Sequence, residues 1–488
     1  MDEGVGQVVD FMPVVPHHQR QQQRVIPSSS SASPTSPTSP ISSSSSSASL
    51  FAQQQQQQQQ EASNGSANNS LTDTIIRRIE VVHGVLHFTM ECFPAFNYAL
   101  ESHTVKVNST GTRALFESEK LVLELQCSLP CLKICDTGVV GNFYLDSNNV
   151  DQKLCTFVLR QIPSRAEATR ILNEEWNLSH NHSNVSNSGG GEFNVVYLAD
   201  NALIDTISFW QNWVSKLSYH GRYRERICRS ALAMKLMTFE PTGAIVSSPT
   251  TSLPKVIGGT RNYDYRFTWI RDACLAMEAF LKLGCFTEAT QIMEFIRNSA
   301  ANTHLELLNK NLKSSSSQSS GGGGGGEQQA SEEYDANNYT AQSLDAPLSV
   351  MYNINGTTKS VEEQAERLDH LSGYKNSRPV RVGNAASNHL EFDIFGELFD
   401  VVYKYDQHAA PISYDLWKRL RTTVDWICEH WSKPDASIWE IRGTNQHYVY
   451  SKVMCWVAID RAIKLSLHRS FPCDREKWLV VRDQIFED

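Results

Sequence analysis

Trp269-Ile270-Arg271-Asp272-Ala273-Cys274-Leu275-Ala276-Met277-Glu278-Ala279-Phe280-Leu281-Lys282-Leu283-Gly284-Cys285-Phe286-Thr287 carries the pattern on which the fold turns. Ile270, Ala273, Cys274, Met277, Phe280 and Leu281 recur at intervals of three and four, the stripe of a helix buried along one side. Gly284 follows as a residue able to take the left-handed cap conformation. A second helix is predicted to start near Thr287, making a helical hairpin. The same period continues outward. Leu390, Ile394, Leu398, Val401 and Tyr405 mark one helix, and Trp417, Leu420, Val424, Ile427 and Trp431 the next. Met454, Ala458, Ala462 and Leu465 mark another, and Trp478, Val481 and Ile485 the last. Upstream, Ile204 to Leu217 and the set Ile227, Ala231 and Met234 are helical too. The C-terminal half is therefore predicted to be a serial array of about seven or eight helices.

Before residue 200 the period is two. Leu86, Phe88, Met90 and Cys92 alternate with polar or exposed partners after a His83-Gly84 turn, which predicts a β-hairpin. Leu121, Leu123, Leu125 and Cys127 repeat the alternation, and the short apolar runs 154–159 and 193–198 are strand-like. A β-sandwich over roughly 75–200 is expected. Two segments break the pattern. Residues 17–70 are dominated by Ser, Gln and Pro, too polar to offset chain entropy by burial, and are expected to be a disordered insertion. Residues 310–345, with six glycines at 321–326, are expected to be a flexible insertion between helices. The glycines lack the Lys-Ser/Thr that would make a phosphate loop.

Composition narrows the function. The chain has 488 residues and a formal charge of −9, without the clustered Lys/Arg surface that a nucleic-acid partner requires. No apolar run reaches the ~18 residues of a membrane span. Eleven cysteines without a secretory leader are expected to be reduced thiols, and a cytoplasmic location is expected rather than secretion. Cys127, Cys131 and Cys135 recur every four residues, which suits packing better than a metal knuckle. No metal or cofactor is called for, and the charge balance fits neutral substrates better.

Three segments point to a small neutral carbohydrate as the ligand. The first, 258–272, offers Tyr265 and Trp269 as faces for a pyranose ring, with Arg271 and Asp272 as charged partners for vicinal hydroxyls; an ordinary capped helix start with an Arg–Asp pair is the alternative. The second, 371–386, brings Arg378 and Arg381, which could orient substrate or brace acidic side chains. The third, Pro434-Asp435-Ala436-Ser437-Ile438-Trp439-Glu440-Ile441-Arg442-Gly443, sets a carboxyl between apolar side chains. Burial beside Trp439 would raise the pKa of Glu440 and keep a proton to donate, whereas a structural pair with Arg442 is the alternative.

In this order the three segments resemble glycoside hydrolase family 15, the family of glucoamylases, glucodextranases and bacterial-type trehalases. Stretches 243–254 and 450–461 agree with it. The resemblance implies a β-sandwich followed by an all-α (α/α)6 toroid, here incomplete. Residues 1–16 would be a remnant of the sandwich, 71–203 the sandwich itself, 204–221 a linker helix and 222–488 the partial catalytic domain. It further implies inverting exo-hydrolysis that releases glucose from α,α-trehalose or from α-glucan ends. Tyr265, Trp269, Arg271 and Asp272 would line the glucose subsite with Arg378, Arg381 and Arg442 as further substrate-binding residues, Trp439 a neighbouring wall and Glu440 the general acid. Two positions depart from the pattern: Lys255 stands where Glu usually follows Ser-Leu-Pro, and Ser437 where Gly usually precedes Ile-Trp-Glu. The family's general base lies beyond any segment found here, so a fragment or an incomplete gene model is expected, with a genuine short protein as the alternative. A non-catalytic sugar-binding or scaffolding relative is the rival reading of function.

Overall fold

The computed structural model describes residues 4–14, 73–162, 195–317, 340–358 and 368–488. They fall into two compact units divided inside one helix, after Asn212. Residues 15–72, which include all of the low-complexity segment 17–70, and the glycine run 321–326 lie outside the described residues.

The first unit carries nine strands: β1 (Val5–Phe11), β2 (Thr74–His83), β3 (Val85–Cys92), β4 (Thr104–Val107), β5 (Arg113–Glu117), β6 (Val122–Cys127), β7 (Leu132–Cys135), β8 (Gly138–Asp146) and β9 (Leu154–Ile162). They form two antiparallel sheets, ordered β1-β2-β9-β6-β5-β4 and β3-β8-β7. Between the sheets lie Ile79, Val81, Phe116, Leu125, Val139, Leu145 and Phe157, all buried. Phe143 of the smaller sheet meets Phe157 of the larger with ring centroids 5.8 Å apart. This is the expected sandwich, with one correction. β2 and β3 are not a hairpin: β2 pairs with β1 and β9, β3 with β8. Gly84, at φ +76°, turns the chain from one sheet to the other. Cys127, Cys131 and Cys155 are buried in this core, with Cys127 Sγ 3.6 Å from Cys131 Sγ and 3.8 Å from Cys155 Sγ, while Cys135 is exposed. The thiols of this cluster fill space between the sheets.

Helix α1 (Val195–Ser215) corrects two further expectations. The run 193–198, read as strand-like because it is short and apolar, is helical from Val195, and the helix starts well before residue 204. Ala199 and Ala202 bury against Ile76 and Val158, a tertiary contact that outweighs the β propensity of Val195 and Val196.

The second unit holds α2 (Arg224–Leu236), the short ladders β10 (Thr238–Phe239) with β11 (Ala244–Ile245) and β12 (Thr268–Trp269) with β13 (Met351–Tyr352), and six further helices. These are α3 (Ile270–Lys282), α4 (Phe286–Ser317), α5 (Asp393–His408), α6 (Tyr414–His430), α7 (Val449–Arg469) and α8 (Arg475–Glu487). α3, α5 and α7 pack side by side, α5 touching both neighbours, while α4 packs on α3 and both α6 and α8 pack on α7. The apolar stripes expected from the sequence face one shared core, from Ile270 and Phe280 through Phe395 and Phe399 to Trp417, Ile459 and Trp478. Gly284, at φ +77°, closes α3 as expected. α5 and α7 approach closely at Gly396, where a Cβ would sit 2.5 Å from the Met454 carbonyl oxygen. α4 runs on to Ser317, past residue 310 where the flexible insertion was expected to begin; Lys310, Leu312 and Lys313 are good helix formers. Among the described residues no helix is long and apolar enough to cross a membrane.

Candidate active site

The loops at the starts of α3, α5 and α7 are tied into one structure. Thr251 Oγ1 donates to the Arg381 carbonyl at 2.6 Å, and Arg381 N donates to Ser252 Oγ at 2.8 Å. Asp264, fully buried, accepts from Gly383 N at 3.0 Å and from the Arg266 side chain at 2.7 Å. These bonds join the segments 251–266 and 381–383. The third segment is a loop closed at its base by reciprocal Asp435 and Gln446 backbone bonds and tethered by Ala436 N to the Leu390 carbonyl at 2.9 Å. Asp435 anchors it from inside, accepting from Phe392 N at 2.9 Å and from Ser451 Oγ at 2.8 Å. Burial pushes the Asp435 carboxyl up to about 6 against those donors.

Within this loop Ser437 (φ +61°) and Glu440 (φ +51°) both take the left-handed conformation. A non-glycine residue there costs of order 1–3 kcal/mol. The strain at Ser437 gives a physical reason why glycine suits that position, and the turn points the Glu440 side chain inward.

Glu440 Oε1 accepts from Arg271 Nη2 at 3.1 Å. The same guanidinium donates through Nη1 to Glu391 and Asp393, each at 2.9 Å, and both carboxylates are fully buried. His389 Nδ1 stands 3.3 Å from the other oxygen of Glu391. Three acidic side chains thus share one arginine, and the balance decides where protons reside. Burial raises the Glu440 pKa, the Glu391 charge raises it further, and Arg271, His389 and the Trp269 indole oppose the shift. Asp393 is raised as well, first by burial, with Arg271 opposing. A carboxyl so placed can keep a proton toward neutral pH.

Glu440 opens onto a cavity of about 330 Å³ lined by Lys255, Arg261, Tyr263, Tyr265, Asn384, Ala386, His389, Trp439 and Arg442. That volume is in the range of small-ligand sites, about 300–1,000 Å³. Of the residues read from the sequence, Tyr265, Trp439, Glu440 and Arg442 line this cavity. Trp269 is buried behind it, 5.4 Å from the Tyr265 ring. Arg271 also stands behind the wall, as the brace of the acidic cluster. Asp272 does not join them: one residue on along α3 it turns away, accepts from Ser247 Oγ at 2.7 Å and borders a separate apolar groove with Met234 and Leu275. Arg378 is exposed and outside the cavity lining. Arg381 lies beside the cavity with its guanidinium 5.7 Å from the centre of the Tyr263 ring. Two attributions change. Trp439 is 78% exposed, so the burial of Glu440 comes from the cluster around Arg271, and the charge partner of Glu440 is Arg271 where Arg442 was the alternative.

Sequence reasoning missed His389, Glu391, Asp393 and Tyr263. The run His389-Leu390-Glu391-Phe392-Asp393, charges alternating with buried apolar residues ahead of a helix, was the available signal.

The profile of the family described as "Glycosyl hydrolases family 15" matches residues 221–328 and 322–488. A trehalase of Mycolicibacterium smegmatis is 36% identical over 58% of this chain and 36% of its own length. A trehalase of Thermoplasma volcanium is 32% identical over 84% of this chain and 53% of its own. The chain therefore spans about a third to a half of these curated relatives. A bacterial glucoamylase crystallised with acarbose superimposes with a TM-score of 0.50 at 10% identity, over 85% of this chain and 52% of that one, which is a likeness of fold. With the profile covering more than half of the sequence, the chain belongs to glycosyl hydrolases family 15.

Proposed function

We propose that this protein is an inverting, exo-acting α-glucosidase that releases glucose from α,α-trehalose or from the ends of α-glucans, with Glu440 as its general acid. One observation carries the reading: a carboxyl whose proton affinity is raised by burial and by Glu391 opens onto a cavity walled by Tyr265, Trp439 and polar side chains. In the proposed reaction Glu440 gives its proton to the glycosidic oxygen as the bond to the anomeric carbon breaks. Water attacks that carbon from the opposite face and loses its proton to a second carboxylate, which inverting enzymes hold ~6.5–9.5 Å from the first. Among the described residues Glu440 is the one carboxylate lining the cavity, and the proposal assigns the base to a segment outside them. Tyr265 and Trp439 cover the apolar faces of the sugar, Arg442 holds hydroxyls, and Arg271 positions Glu440. Arg381 serves as a further hydroxyl ligand at the rim, whereas Asp272 and Arg378 stand away from the cavity. The alternation of α3, α5 and α7 with outer helices supports an (α/α)6 toroid of which these helices form a part. The curated relatives named as trehalases favour trehalose as the substrate.

That a single carboxylate lines the cavity among the described residues also favours a second reading, a sugar-binding relative without turnover. Glucose release from trehalose, maltose and isomaltose, with the first anomer followed by NMR, separates the two. The hydrolase yields β-glucose, and Glu440→Gln lowers turnover by about 10²–10⁴-fold while sugar binding persists. Unchanged turnover in Glu440→Gln removes Glu440 from the mechanism. Binding without glucose release from any of the three sugars upholds the second reading.

A further inference from the structure

Among the described residues, the side chains lining the cavity are rich in hydrogen-bond donors and poor in acceptors. Lys255, Arg261, Trp439 and Arg442 can only donate. Asn384 is engaged by the protein itself, its amide nitrogen donating to the Asp264 carbonyl at 3.2 Å and its oxygen accepting from Ala386 N at 3.0 Å. Glu440 accepts from Arg271 and, in the proposed reaction, carries the proton that is given away. A sugar hydroxyl that accepts from an arginine or a lysine still has its own hydrogen to place, and a wall of donors leaves it unbonded. Besides the tyrosine hydroxyls, the remaining lining side chain with a lone pair to offer is His389. Its ring is held in position for that task. His389 Nδ1 stands 3.3 Å from Glu391 Oε1, while the other oxygen of Glu391 accepts from Arg271 at 2.9 Å. A carboxylate can only accept, so Nδ1 carries the hydrogen and Nε2 of the neutral ring presents a lone pair. No bond from the described residues occupies Nε2, and the side chain, on the cavity wall, keeps 17% of its surface exposed. The backbone beneath is fixed as well, His389 N donating to the Ala386 carbonyl at 3.0 Å.

We propose that His389 is a specificity-determining residue that accepts, through Nε2, the hydrogen of one glucose hydroxyl beside Glu440, with Glu391 setting its tautomer. The proposal rests on the reading of the cavity as a sugar site. Equilibrium titration of the whole protein with glucose and with its singly deoxyfluorinated analogues at the non-anomeric positions tests it. The tryptophan fluorescence follows binding, since Trp439 is exposed on the cavity wall. Fluorine replaces the hydroxyl with little change of size and has no hydrogen to donate. At one position the fluoro analogue binds the wild type about 3- to 10-fold more weakly than glucose does, the range of a single neutral hydrogen bond. His389→Asn, whose amide replaces Nδ1 and falls short of Nε2, weakens glucose by the same factor and shows no further loss with that analogue. His389→Gln, whose amide oxygen reaches the Nε2 position, binds glucose within about twofold of the wild type. A ring that merely braces Glu391 gives another pattern. The fluoro analogues then lose as much in His389→Asn as in the wild type, or His389→Gln binds glucose as weakly as His389→Asn, and either result overturns the proposal. A wild type that binds no glucose overturns the sugar reading of the cavity and this proposal with it. Glucose is not consumed, so an absence of turnover, which would sink the hydrolase reading, leaves this outcome legible.

Discussion

Asp435 offers a test whose outcome runs against a simple count of hydrogen bonds. Its carboxyl accepts from Phe392 N and Ser451 Oγ, so replacing it by Asn would be expected on that count alone to weaken the fold at every pH. Burial dominates those donors and moves the group from 3.8 up to about 6. At about 1.36 kcal/mol for each tenfold in proton affinity, the change amounts to roughly 3 kcal/mol. The folded state then binds this proton more tightly than the unfolded state does. Stability from this group is fully present below the unfolded pKa near 3.8, is lost as pH rises toward 6, and stays lost above it. Asn mimics the protonated acid and does not titrate. The stability of Asp435→Asn minus that of the wild type should therefore climb by roughly 2 to 2.5 kcal/mol between pH 4 and pH 7, whatever constant offset the amide introduces. Urea unfolding followed by tryptophan fluorescence at several pH values measures it, because eight of the ten tryptophans lie at or beyond residue 213, in the second unit. A difference that is flat, or that falls with pH, would mean that the Phe392 and Ser451 donors outweigh burial, and would refute the reasoning.

Two other substitutions probe the same region. Arg271→Met strands Glu391 and Asp393 in the interior, and removing one partner of a buried ion cluster costs about 3–5 kcal/mol; a loss below about 1 kcal/mol in urea titrations would show that the carboxyls take up protons and relax. Gly396→Ala puts a methyl group 2.5 Å from the Met454 carbonyl oxygen, so α5 and α7 must part, at a cost of about 1–3 kcal/mol read as a lower melting temperature; an unchanged melt would show that the helix pair gives freely.

The helical half was legible because a buried stripe is a local property: Ile270 to Leu281, Trp417 to Ile427 and Trp478 to Ile485 announce themselves within three turns each. Strand pairing is not local. Alternation on both sides of Gly84 looks the same whether β2 and β3 pair with each other or enter separate sheets, and the partners that decide it, β8 and β9, lie more than fifty residues further on. The run at 193–198 misled for the same reason, since Ile76 and Val158 hold it from a distance. In the site, Trp439-Glu440 stood out as a carboxyl between apolar neighbours, yet the groups that set its proton affinity come from residues 271, 389 and 391 and carry no adjacent signal. The spacing of Arg271 and Asp272 was visible too, but successive residues on a helix point about 100° apart, so one faces the acidic cluster and the other leaves it.

The shared arginine also ties chemistry to assembly. Arg271 belongs to the first turn of α3, Glu391 and Asp393 to the entry of α5, and Glu440 to the loop before α7. A chain in which α3 has not yet docked presents Glu440 as an ordinary surface carboxylate, ionised at neutral pH and with no proton to give. Under the proposed role of Glu440, the carboxyl gains its raised proton affinity when three distant parts of the sequence have met, so the fold itself would serve as the safeguard on the acid.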